Sequence, residues 1–517
     1  MLFFACNGES KAEITKKPVT KERLVVLVNR ADSAINGILP SADGKDIPEE
    51  DYWVTQTLYV NLDKSIKDAK LVLDDVFAGQ EQIDAATSRL NNSLILFTGA
   101  IKPGSLVKNL ITAGLGYAKN TINTVPFRQN SLVTEGNTQY ISYINGDGNL
   151  MLGKRALEDH EFNMKDTGIA AWPSDAHNNS SIMTDAEGYL HVSLNHHNSA
   201  LNYYRSDEPG SLNVVRQSMI GSNEDSVTYT EFYRLPAGDL LFVYRNGSSG
   251  SGDMVLNRYT TATQTWSRIH TRVIYGNGTS PYWQMYLDVK GTIHLSWVFR
   301  RTSDVGTNYN MYYAYSTDQG ASWRKISDHS AYVMPITPSN AEAAWIIPEN
   351  SNLMNQTSMT ADQEGNPFIA TYFGNPVNYQ VIYHDGANWH CSQVGNRTGN
   401  FSLSGGGTLQ APIARPRLAT KYDDESKKTK AYFIFRDTER GSKVSLYTTD
   451  DIASEKPWSV RDLTAFSVGD WEPSHDTEIW KNRGKLHIFV QYADQVSGEG
   501  LSGQEPRQVY CLEAELD

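Results

Sequence analysis

Apolar positions recur at two different spacings along this chain, and the change falls near residue 105. Over residues 20–100 the spacing is helical. Leu24, Leu27, Val28, Ala31 and Ile35 make one stripe; Leu62, Ile66, Ala69 and Leu73 a second; Ile83, Ala86 and Leu90 a third. Gly37, Pro40 and Gly79 punctuate the stripes. The pattern predicts a small α-helical bundle over residues 20–104, in an accessory or spacer role. Beyond it the chain turns to short strands of alternating polarity. One unit recurs there: a polar turn, a glycine, then an alternating strand, as in Asp185-Ala-Glu-Gly188-Tyr-Leu-His-Val-Ser-Leu. Gly188, Gly238, Gly291, Gly365 and Gly484 mark successive units. The widest gap has room for one more, near Lys428–Phe435, and Gly148 would open the series. About seven units at roughly 50-residue steps is the period of β-propeller blades. The expected fold is mainly β: a seven-bladed β-propeller over residues 105–517, preceded by the helical bundle.

A local motif agrees. Ser316-Thr-Asp318-Gln-Gly320-Ala-Ser322-Trp323 fits the S-x-D-x-G-x-[ST]-W hairpin called an Asp-box. There the aspartate caps backbone donors, the glycine takes the turn and the tryptophan packs between strands. Ser206-Asp207-Glu-Pro-Gly210 and Asp385-Gly386-Ala-Asn-Trp389 read as eroded copies.

Composition narrows the partners. Of 517 residues, 46 are Lys or Arg and 59 are Asp or Glu, a net charge of −13. Such a surface repels phosphate backbones and argues against nucleic acid. An acidic protein that takes an acidic ligand must gather its cations in one place. The 28 Tyr, 11 Trp and 39 Gly suit a turn-rich β fold with stacking surfaces for sugars.

Polar residues cluster in four stretches: Ser174–Ile182, Asn195–Arg205, Val227–Gly252 and Ser280–Trp283. Alone, each residue has a structural explanation, as a turn histidine, a packed tyrosine or an ion-paired arginine. Together they form D-x-H-N at Asp175–Asn178, then H-N-x-x-L-x-Y-x-R-S from His197, then T-Y-x-x-F-x-R-L-P-x-G-D-L-L-F-x-Y-R-x-G-x-S-G-x-G from Thr228 to Gly252. This combination resembles the BNR-repeat seven-bladed propeller family that includes ulvan lyases and related uronate-cleaving polysaccharide lyases. The resemblance runs over about residues 120–515 and is densest over 172–300. It implies catalytic roles for His177, His197, Tyr229 and Arg245, and substrate contacts for Asn178, Asn198 and Tyr282. The implied reaction is β-elimination beside a uronic acid in an anionic, ulvan-like polysaccharide. Arg245 would neutralise the carboxylate, because a guanidinium grips it through two donors. His177 and Tyr229 would serve as base and acid, with the assignment between them open. His197 would orient the carboxylate. His191, His294 and His487, each three residues after a repeat glycine, read as structural and bonded to neighbouring blades.

Further expectations concern metal, cysteines and location. No cofactor is required, although relatives carry structural metals, so a calcium or zinc ion is admitted. His384, His390 and Cys391 are the nearest sequence cluster and His475 is another candidate ligand, but the spacing matches no zinc signature. Phe4-Ala5-Cys6 resembles the end of a bacterial lipobox, with residues 1–19 as signal remnant and tether and Cys6 lipidated. That places the protein in the cell envelope or outside the cell, expected as a monomer, where a Cys391–Cys511 disulfide could form. Two other readings fit a propeller: a glycoside hydrolase of rhamnosidase or sialidase type, and a non-catalytic glycan-binding module. The first lacks a motif-marked carboxylate pair. The second does not explain why the whole catalytic set is present.

Overall fold

A computed structural model describes residues 20–42, 44, 47, 51–103, 106–454, 456–514 and 516. Cys6 lies outside the described residues. The three apolar stripes fold as α1 (Glu22–Ile35), α2 (Gln56–Asp74) and α3 (Gln80–Gly99). The buried side of each helix is the one its spacing marks: Leu24, Leu27, Val28 and Ala31; Leu62, Ile66 and Ala69; Ile83, Ala86 and Leu90, extended by Leu94 and Phe97. A three-stranded sheet of Ile38–Ser41, Tyr52–Thr55 and Lys102–Pro103 completes the unit. Its strands are too short to show a period in the sequence. The core of this unit packs against Ala465 and Phe466 of the β region. No helix among the described residues is long and apolar enough to cross a membrane.

Seven sheets follow, six of four strands and one of five, arranged as the blades of a propeller. The first strands of successive blades touch around the central axis. Blade one begins at Leu132–Glu135, blade two at Ser180–Thr184, and blade three at Val227–Arg234. The last blade is closed by both ends of the domain: Arg507–Ala514 pairs antiparallel with Val107–Gly116. The unit anticipated near Lys428–Phe435 is the second strand of blade six.

One repeat assignment needs correction. The turn between the first two strands of blade one carries Gly136, and Gly148 lies one hairpin further out, between Thr138–Ile144 and Asn149–Ala156. The two turns look alike because Asn145 Oδ1 caps the outer one, accepting from Asp147 N at 3.0 Å and Asn149 N at 2.9 Å. Asp185 caps its repeat turn in the same way, through Glu187 N and Tyr189 N.

The three strand histidines are structural, but two of them bond inside their own blade. His191 lies between Asp185 (3.2 Å) and the Tyr203 hydroxyl (2.7 Å), and His294 between Asp288 (3.1 Å) and Tyr313 (2.7 Å). Only His487 reaches across blades, to Gln139 at 3.0 Å. Gln139 stands three residues after Gly136, the place the histidines hold elsewhere.

The Asp-box sits at the outer edge of blade four. Asp318 accepts from Ser322 N at 2.9 Å and Trp323 is fully buried. Its two eroded copies occupy the matching third hairpin of blades two and five. The cysteines do not pair: Cys391 in blade five and Cys511 in the last blade are both free. Nor do His384, His390 and Cys391 converge. Neighbouring residues on a strand face opposite ways, so His390 and Cys391 part, towards Asp385 (2.7 Å) and Gln380 (3.7 Å) respectively. His475 is buried in a different blade.

Candidate active site

One cavity of about 300 Å³ is lined by His177, His197, Tyr229, Arg245 and Tyr282 together. Each arrives by a different local device. His177 lies in a single 3-10 turn, Ala176–Asn178, which Asp175 caps by accepting from His177 N at 2.9 Å. His197 starts a short strand that leaves blade two and pairs with the first strand of blade three, opposite Thr228. On the other side of Thr228 stands Arg245, in the second strand of that blade. Directly opposed residues share a face of a sheet, so His197, Thr228 and Arg245 form one row. The Thr228 hydroxyl ties it together, accepting from Arg245 Nη2 at 3.2 Å and from Asn198 N at 2.8 Å.

Tyr229 follows Thr228 at a register break between Thr228 and Glu231. Its φ is +59°, in the left-handed region, where a bulky aromatic costs of order 1–3 kcal/mol. A residue excluded from the ladder can turn its ring out of the sheet, and this one turns into the cavity. There it meets Phe127 edge-on, with centroids 4.9 Å apart, and lies 5.9 Å from the Tyr282 ring. Arg245 Cζ sits 4.8 Å from the Tyr229 ring centre and 5.9 Å from that of Tyr282.

Asp175 organises the imidazoles. Its Oδ1 lies 2.8 Å from His177 Nδ1, and its Oδ2 makes a close hydrogen bond with His197 Nδ1. The rings stack with centroids 4.0 Å apart. Glu499, from a loop of the last blade, lies 3.4 Å from His177 Nδ1 and is held by Thr408 N at 2.9 Å. Burial pushes His177 down, but the bonds to Asp175 and Glu499 outweigh it and hold the imidazole above its ordinary value. Asp175 lies well below the carboxylate range: its bonds to the two histidines overcome the penalty of burial. Burial and the neighbouring Tyr282 raise Tyr229 well above a free phenol, against the pull of Arg245, Arg300 and Arg415. Its phenol therefore keeps its proton at neutral pH.

Three arginines line this cavity: Arg245, Arg300 and Arg415. Arg415 is neutralised by Glu472 at 2.6 Å. Arg245 and Arg300 have no carboxylate partner among the described residues, and Arg245 Nη1 is buried with no hydrogen-bond partner. Gly252 makes room for Arg245: a Cβ there would fall 2.7 Å from Arg245 Cδ.

Two expected substrate contacts lie elsewhere. Asn198 is exposed and held by its backbone, and Asn178 donates to Trp172 O at 3.0 Å; neither lines the cavity. Tyr282 does line it, its hydroxyl 2.9 Å from Ser249 Oγ. The sequence pattern did not single out Asp175, Arg300, Glu499 or Phe127. Asp175 was legible in D-x-H-N. Arg300, Glu499 and Phe127 come from separate blades and carry no local signal.

Asp175, His177 and His197 are also the group of ion-binding atoms that come together among the described residues, within 4.8 Å of one another. Both Nδ1 atoms already face Asp175, so the geometry is that of a hydrogen-bonded triad. A metal there would have to displace both bonds.

Comparison with known proteins gives a consistent family. A model of the BNR repeat-containing family matches residues 138–397. Over 108 residues the chain is 34% identical to a protein named ulvan lyase, long isoform, from Glaciecola sp. (strain KUL10). That match takes in 18% of this chain and 10% of the relative, so the chain spans about a tenth of the curated relative it matches. The solved polysaccharide lyase Uly1 superposes with a TM-score of 0.56 at 14% identity, covering 75% of this chain and 90% of its own. A PL25 ulvan lyase bound to -[GlcA(1-4)Rha3S]- gives a TM-score of 0.55 at 13% identity, covering 79% and 96%. At such identities these structures share the fold.

Proposed function

This chain belongs to the BNR repeat-containing family, and from its cavity we propose that it is a polysaccharide lyase. Its substrate would be an anionic, uronate-containing glycan of the ulvan type, cut by β-elimination. One observation carries this reading: an arginine without a counter-ion, two imidazoles on a shared aspartate and a protonated phenol line the same cavity. The names of the matched relatives support the substrate class.

The steps follow from the groups. Arg245 takes the C6 carboxylate of the uronate, and its charge stabilises the enolate-like state formed when the C5 proton leaves. Neutral His177 takes that proton. The electron pair forms the C4–C5 double bond, and the C4–O4 bond breaks. Tyr229 gives its proton to the departing O4. His197 stands beside the carboxylate and shares its charge. No cofactor enters this sequence.

The test is ultraviolet absorbance of the unsaturated uronate when the protein meets ulvan. Arg245→Ala and His177→Ala should each lower turnover by about 10²–10⁴-fold while circular dichroism stays unchanged. Wild-type protein that yields no unsaturated product from any uronate polysaccharide would end the proposal.

A further inference from the structure

A cluster of cations outside the catalytic cavity lines a cleft of about 600 Å³ between the helical unit and the last blade. Its lining includes Arg30 from α1, Lys443, and Arg507 at the start of the closing strand, with Phe466, Tyr492 and Tyr510. No Asp or Glu is among its described lining residues. In a chain with a net charge of −13 that is a local reversal of sign.

The two guanidiniums share one ring. Arg30 Cζ lies 6.0 Å and Arg507 Cζ 5.2 Å from the centre of Tyr492. Among the described residues neither arginine makes a hydrogen bond or an ion pair, and Arg507 Nε is buried without a partner. Lys443 differs: it is 3.5 Å from Asp462. Burial holds the Arg30 guanidinium below its ordinary value, although Tyr492 and Asp494 pull the other way. Asp494 is therefore close enough to be felt, but it does not line the cleft. Two like charges held half-buried around one aromatic ring cost free energy unless an anion joins them. The rings supply the stacking surface a sugar needs.

We propose that this cleft is a second binding site, for an anionic saccharide whose carboxylate or sulfate ester is gripped by Arg30 and Arg507 while a ring stacks near Tyr492. The saccharide part rests on the lyase reading above; the anion part rests on the two unpaired guanidiniums alone. The loop 492–506 separates the cleft from the catalytic cavity. Tyr492 and Pro506 face the cleft and Glu499 faces His177. Both sites thus lie at the same end of the propeller, where one polymer chain can occupy both. The outer site would hold the glycan while the inner one cuts it.

The experiment measures binding and cutting separately. Ulvan oligosaccharides are titrated calorimetrically into His177→Ala protein and into the same variant carrying Arg30→Gln and Arg507→Gln, with neutral dextran as control. Two sites are expected in the first and one in the second, with the lost site weakening as salt rises. Desulfated oligosaccharides distinguish a sulfate grip from a carboxylate grip. In otherwise wild-type protein the double substitution should raise KM for long ulvan several-fold and leave turnover of the shortest cleavable fragment unchanged. Equal stoichiometry in both proteins, or no binding by either, would overturn the cleft. Two-site binding that is lost in the double variant, without unsaturated product from wild type, would uphold the cleft and sink the lyase reading. Unfolding curves of the double variant that overlay those of its parent exclude misfolding as the cause.

Discussion

Asp175 holds both imidazoles of the cavity, and it is where a single atom change is most informative. Asp175→Asn keeps the size and removes the charge. His177 then loses its largest source of proton affinity, and burial drives its value down. Activity of the wild type should climb with pH above the ordinary imidazole value, because the neutral base fills only there. In Asp175→Asn that limb should move to lower pH while turnover falls about tenfold or more. A pH–rate profile checks both; a purely structural aspartate would lower activity without moving the limb. The sign for stability is opposite to that of a raised base. The depressed Asp175 stabilises the fold above its unfolded value, and that contribution is lost as pH falls through acid. Gly252→Ala is a second residue-scale prediction. A Cβ 2.7 Å from Arg245 Cδ must displace the guanidinium, so KM should rise several-fold with little change in Tm. How far these residues could be read from the sequence depended on whether they share a motif. His177, His197, Tyr229 and Arg245 fall in a dense local pattern. The left-handed backbone of Tyr229 and the partnership of Glu499 with His177 are set by register and by a distant loop, which no local pattern records.

At the scale of elements, the strands and turns carry most of what the sequence shows. Glycine turns and alternating strands are local, so the hairpins of blades two to seven were legible, as were the three helical stripes. Gly148 was misplaced because an Asn-capped outer turn has the same local chemistry as an Asp-capped inner one. The small sheet at Ile38–Ser41 and Tyr52–Thr55 escaped because four residues hold no period. The Asp-box offers a clean test of element stability. Trp323 is fully buried behind the Asp318 turn, so Trp323→Ala should cost about 3–5 kcal/mol in denaturant unfolding. It should leave turnover per folded molecule unchanged, since the residue lies at the outer edge of its blade. A loss of turnover without a loss of stability would place that hairpin in the site.

At the scale of the whole molecule, seven blades are closed by pairing the first propeller strand with the last, and the cavity sits where their loops meet. The closure makes the ring cooperative, so deleting Val107–Gly116 should abolish folding of all seven blades together, as seen by loss of the cooperative unfolding transition. Charge is arranged on the same scale: a chain with a net charge of −13 gathers Arg245, Arg300 and Arg415 around one cavity, and only Arg415 has a carboxylate partner among the described residues. Deep within the propeller Glu231 is pushed up to about 7 by burial, against its bonds to Tyr233 and Gln129. A buried acid raised in this way stabilises the fold while protonated. Stability should therefore fall as pH rises from its unfolded value through about 7, and Glu231→Gln should flatten that slope in thermal unfolding.

The central claim is that bond cleavage proceeds by elimination at a uronate bound to Arg245. Mass spectrometry of fragments released from ulvan tests it most directly. Elimination predicts new non-reducing ends one water lighter than hydrolysis would leave, absorbing in the ultraviolet, and absent with Arg245→Ala. Fragments of full hydrated mass, or unsaturated ends that persist in Arg245→Ala at wild-type rates, would contradict it.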